Sequence, residues 1–164
     1  MGYIMFGVVV FLLDIMTKLV VEVQLKSLDT IALWQNVFHL TYVENRGIAF
    51  GMFSGQRMAF ILVTAAVLAL LALIYTKTPQ SERTRWIKCG VALVYGGACG
   101  NLIERMAKGY VVDFLDFRLI HFPVFNVADI AVCVGAVLLV IHFLISERKA
   151  ERTKALSKEG ENRE

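Results

Sequence analysis

The sequence predicts an all-α membrane protein with four transmembrane helices, a small extracytoplasmic β-cradle and both termini in the cytoplasm. Three observations predict it. The 164 residues are 57% hydrophobic and only 19% charged, with a mean hydropathy of +0.63, which is too apolar for a soluble domain of ordinary composition. Four stretches, at about 3–23, 58–75, 86–106 and 127–145, come near the roughly 20 mainly apolar residues that a hydrocarbon core requires. Basic residues gather on one side of those crossings, and an excess of Lys and Arg marks the cytoplasmic side. The length accommodates one membrane-embedded domain at 1–146, followed by a charged tail at 147–164.

The first segment starts without a basic n-region and no small-residue cleavage site follows it, so it reads as a retained helix. Asp14 and Lys18 interrupt it at i,i+4 spacing, acid first, which is the favourable order for a helical ion pair. Lys18 snorkelling outward is one reading. The favoured one turns both toward the bundle interior, because a charge facing lipid costs several kcal/mol. In the outer connection a cradle is expected at about 31–53. Val37 to Val43 has the β-branched and aromatic make-up of a half-buried strand. Glu44-Asn45-Arg46-Gly47 then reads as a turn, and Ile48 to Phe53 as a further apolar piece. Trp34, Phe38, Tyr42, Phe50 and Phe53 suit the membrane interface.

Lys77, Arg83, Arg85 and Lys88 mark the connection between the second and third segments, Lys88 at the start of the third. The tail carries Arg148, Lys149, Arg152, Lys154, Lys158 and Arg163. Both groups fall on one side if there are four crossings, so the stretch from Gly97 to Asp129 faces outward. The tail, charged and poor in aromatics, is expected to be a solvated helix end that frays.

Near the outer end of the third segment, Asn101, Glu104 and Arg105 share a helical face. Gly96, Gly97 and Gly100, a turn earlier, read as sites of close helix packing. Asp113 closes an apolar run, Tyr110-Val111-Val112, and Asp129 opens the fourth segment. Each is a functional-site candidate, since ionisable groups at a membrane boundary are expensive. Asp129 also suits an ordinary helix cap, and spacing alone does not separate Asp113 from Asp116. Cys89, Cys99 and Cys133 are read as small buried hydrophobes, and His39, His121 and His142 as surface or interfacial residues. None has metal-ligand spacing, so neither metal nor cofactor is expected.

Five motifs, taken together, resemble the bacterial lipoprotein signal peptidases, the signal peptidase II family. They are Asp14-x-x-Thr17-Lys18, Asn45-Arg46-Gly47-Ile48-Ala49-Phe50-Gly51, Gly100-Asn101-Leu102-Ile103-Glu104-Arg105, Gly109-Tyr110-Val111-Val112-Asp113-Phe114 and Phe125-Asn126-Val127-Ala128-Asp129. They occur in the family order and cover nearly all of the chain except the tail. The resemblance implies an aspartic endopeptidase of the bacterial cytoplasmic membrane, with its active site facing outward. Such enzymes remove signal peptides from prolipoproteins on the N-terminal side of a diacylglyceryl-modified cysteine. Carried over position by position, the catalytic acids are Asp113 and Asp129. Asp14, Lys18, Asn45, Gly47, Asn101, Arg105, Asn126 and Ala128 take supporting or substrate-binding positions. Glu104 stands where the family usually has Asp, and Ile48 where it often has Ala. The expected partners are lipid-modified prolipoproteins and membrane lipid, with no nucleic acid, and the chain is expected to be a monomer.

The chemistry fits the residues. Two close carboxylates share one proton and titrate as a pair. The ionised member activates water and the protonated one polarises the scissile carbonyl. Two other classes compete: a proton-conducting transporter with Asp14, Lys18 and Glu104 as relay, and an assembly factor that docks through the cradle. The clustering of carboxylates at one face disfavours the first, and replacing Asp113 or Asp129 by Asn separates both from a peptidase.

Overall fold

A computed structural model describes residues 2–47, 56–81 and 84–161, with side chains as far as 148. The predicted apolar stretches become α1 (Gly2–Leu25), α2 (Arg57–Lys77), α3 (Arg85–Ala107) and α4 (Val127–Glu161). All are long and apolar enough to cross a membrane, α4 through its first part, Val127–Arg148. Helical structure continues through most of the charged tail.

Of the α3 window, 44% is buried, against 11% for α2, so α3 is the axle of the bundle and α2 an outrigger. Glycine makes the axle possible. A Cβ on Gly96 would strike the Gly7 carbonyl of α1, and one on Gly97 the Ala128 carbonyl of α4. Close backbone approach of this kind drives helix association where lipid removes the hydrophobic incentive. On α1, buried Gly7, Asp14, Lys18, Val21 and Leu25 recur at helical spacing and form a single inward stripe.

Three strands, β1 (Thr30–Trp34), β2 (Phe38–Asn45) and β3 (Val111–Phe117), form an antiparallel sheet in the order β1-β2-β3. Its inner side rests on the end of α1, where Val112 and Phe114 pack with Val21 and Leu25. Leu40 pairs with Leu115 but Val43 with Asp113, so β2 carries one extra residue there. That bulge bends the strand beside the site, as bulges commonly do.

Several expectations need correction. The predicted cradle at 31–53 takes its third strand from 111–117, which the sequence places far away. Glu44 and Asn45 belong to β2 and not to a turn, because they pair with Val112 and Val111. Cys133 is exposed and Cys89 and Cys99 are half-buried, Cys99 because it lines an apolar cavity among α1, α2 and α3. His39 is buried at 6% exposure, because it sits in the central strand opposite Asp116. The stretch Ile48 to Phe53 and Arg83 lie outside the described residues.

Candidate active site

At the seam between sheet and helices, polar side chains from every helix except α2 converge with two strands. Asp113 leaves β3 with both carboxylate oxygens engaged. Oδ1 accepts from Asn126 Nδ2 at 2.6 Å and Oδ2 from Asn45 Nδ2 at 2.7 Å. Asp129, in the first turn of α4, accepts from Asn101 Nδ2 at 2.9 Å on Oδ1 and from the Asn126 backbone N–H at 3.0 Å on Oδ2. Its own N–H donates to Asn126 Oδ1 at 3.0 Å. Asn126 and Asp129 thus form a capping box, each side chain satisfying the other's backbone. Asn126 is fully buried and touches both acids. Burial, aided by the charge on Asp129, pushes Asp113 up to about 7, against the pull of its hydrogen bonds to Asn45 and Asn126.

Beneath this pair lies a second set of charges. Lys18 donates to Asn101 Oδ1 at 2.7 Å and lies 2.8 Å from Asp14 Oδ2 and 3.2 Å from Glu104 Oε2. Asp14 Oδ1 accepts the Ala128 N–H at 2.9 Å, tying α1 to the start of α4. A Cβ on Gly100 would collide with Asp14 Oδ2, so glycine there admits the carboxylate. Glu104 Oε2 also accepts the Val112 N–H at 2.9 Å, just before Asp113. Arg105 Nη2 reaches the Gly47 carbonyl at 3.4 Å, and the Gly47 N–H donates to Asn45 Oδ1 at 3.0 Å. Arg105 also lies within electrostatic range of both Asp113 and Asp129.

All eleven predicted positions therefore gather in one place, and the rival acid does not join them. Asp116 accepts from Thr41 at 2.7 Å and Arg118 at 2.8 Å. Burial alone would raise its carboxyl, but those hydrogen bonds and the Arg118 charge outweigh it and hold the group below the usual range. Sequence reasoning missed Arg57, which donates from α2 to the carbonyls of Arg105 and Met106 at 2.8 and 2.7 Å and closes the end of α3. It also missed Lys108, although its position four residues after Glu104 was a readable signal. Among the described residues, no group of three or more His, Cys, Asp or Glu is arranged to hold a metal ion.

Apolar helices of membrane-crossing length, gathered around a buried cluster of acids and amides, define a multi-pass membrane protein with its polar site at one end of the bundle. Residues 6–145 match the family model for signal peptidase (SPase) II. The chain belongs to that family of proteases. It is 46% identical over 140 residues to the lipoprotein signal peptidase of Halothermothrix orenii, covering 85% of this chain and 93% of that one. With the lipoprotein signal peptidase of Clostridioides difficile it shares 43% over 152 residues, or 92% and 99% of the two chains. A bacterial membrane enzyme structure obtained by the in meso method at 2.3 Å superposes with a TM-score of 0.81 at 30% identity, covering 89% of each chain.

Proposed function

We propose that the chain removes signal peptides from prolipoproteins, hydrolysing the bond N-terminal to a diacylglyceryl-modified cysteine with Asp113 and Asp129 as an aspartic dyad. The observation that carries the reading is Asn126. One buried residue holds Asp113 through its side chain and Asp129 through its backbone, so the two acids are set against a common reference. With Asp113 raised to about 7, the pair retains one proton near neutrality. The ionised acid takes a proton from water as it attacks the carbonyl carbon. The protonated acid hydrogen-bonds the carbonyl oxygen and then returns a proton to the departing amine.

Asn45 and Arg105 line the same site and are suited to holding the substrate backbone. Gly47 supplies the carbonyl that seats Arg105, and Asp14, Lys18, Asn101, Glu104 and Ala128 brace the dyad from below. The membrane domain at 1–146 acts as a monomer in the bacterial cytoplasmic membrane. The basic inner connection and tail lie in the cytoplasm and the cradle and dyad outside. An outer-surface site meets the scissile bond while the acyl chains of the modified cysteine stay in lipid. The test is cleavage of a lipid-modified precursor by detergent-solubilised protein, comparing the wild type with Asp113→Asn and Asp129→Asn. Loss of turnover in both supports the dyad, and turnover surviving in either one overturns it.

A further inference from the structure

Building on the dyad reading, we infer that Glu22 and Lys108 are positioning residues for Asp113, acting through Glu104. Neither touches the dyad. Their effect travels along the edge of β3 that faces away from β2. On that edge the backbone on each side of Asp113 is pinned. The Phe114 N–H donates to the Phe125 carbonyl at 3.0 Å. The Val112 N–H, fully buried, donates to Glu104 Oε2 at 2.9 Å. The Glu104 carboxylate therefore occupies the slot in which a neighbouring strand would offer a carbonyl. It fixes the peptide immediately before Asp113.

That anchor is only as fixed as the charge that makes it. Lys18 is shared between two buried carboxylates, Asp14 at 2.8 Å and Glu104 at 3.2 Å. One ammonium cannot neutralise both, and a buried carboxylate short of a partner is costly. Lys108 supplies the second cation, 3.0 Å from Glu104 Oε1. Glu22, near the end of α1, holds that ammonium at 2.6 Å. The chain of contacts runs from α1 through Glu22, Lys108 and Glu104 to β3, one residue short of the proposed catalytic acid. Lys108 and Glu22 keep 27% and 23% side-chain exposure against 2% for Lys18, so replacing them disturbs the interior less than replacing Lys18 does.

The experiment compares Lys108→Met, Lys108→Arg, Glu22→Gln, Glu104→Gln and the Glu104→Gln/Lys108→Met double variant with the wild type. It measures kcat and KM on a lipid-modified precursor and hydrogen exchange over residues 110–115. Misplacing a reacting group by an ångström costs on the order of 100-fold, so a loosened anchor should lower kcat by roughly tenfold with KM little changed. Lys108→Arg should restore most of it. The double variant should cost no more than Glu104→Gln alone, because contacts in series do not add. Exchange at Val112 should quicken in Lys108→Met and Glu22→Gln. Wild-type kcat in both of those variants, or penalties that multiply in the double, overturns the inference. Should the wild type itself cleave nothing, the proposed function fails, and the exchange rates alone decide whether Glu22 and Lys108 hold the strand.

Discussion

The site contains two kinds of buried carboxylate, and their neighbours differ in one respect. Asp113 and Asp129 are hydrogen-bonded by amides, from Asn45, Asn101, Asn126 and a backbone N–H. Asp14 and Glu104, a few ångströms below, are held by the ammonium groups of Lys18 and Lys108. A cation holds a carboxylate through opposite charge, while a neutral amide orients an acid without placing a charge beside it. In the proposed mechanism the upper pair transfers protons and the lower supports it. Asn101 joins the tiers, donating to Asp129 and accepting from Lys18.

The contrast can be broken in order of expected effect. Asp113→Asn or Asp129→Asn should reduce kcat by about 1,000-fold, the scale of general acid–base catalysis, with the thermal midpoint in detergent nearly unchanged. Lys18→Met should do the reverse. It strands Asp14 as a buried charge, leaves Glu104 with Lys108 alone, and should cost about 3–5 kcal/mol of stability, visible as a large drop in that midpoint. If Lys18→Met were as stable as the wild type, the two tiers would not differ as described. Activity should also follow the raised acid. Below about pH 7 Asp113 keeps its proton, and above it that proton is lost and no longer there to donate. Therefore kcat/KM should fall as pH rises through 7, by about tenfold per unit, while a flat profile from 6 to 9 would detach catalysis from Asp113. Asn45→Ala has the smallest effect. Losing one hydrogen bond of about 1–1.5 kcal/mol should slow cleavage roughly tenfold without altering membrane insertion, and unchanged kinetics would remove Asn45 from the site.

Much of this was legible in the residues. The pairing of Asp14 with Lys18 and the stacking of Asn101 and Glu104 follow from helical spacing, which needs no tertiary information. The four apolar segments were legible for the same reason. What escaped was set by contacts between distant segments. Arg57 carried no signal in the sequence because its partners are backbone carbonyls of another helix, and no side-chain pattern marks those. β3 could be read as a strand but not as the third strand of the cradle, since pairing Asn45 with Val111 is a long-range event. The role of Glu104 needed distances: its side chain spans Val112, Lys18 and Lys108 at once.

The box formed by Asn126 and Asp129 makes one carboxylate both a proposed reagent and the fastening of a helix. An asparagine at 129 keeps an oxygen to accept the Asn126 N–H, whereas alanine removes it and frees the first turn of α4. The isosteric exchange should therefore yield an inert but intact protein that still grips its precursor. Such a molecule would serve as a snare for fishing uncleaved client chains out of a living envelope.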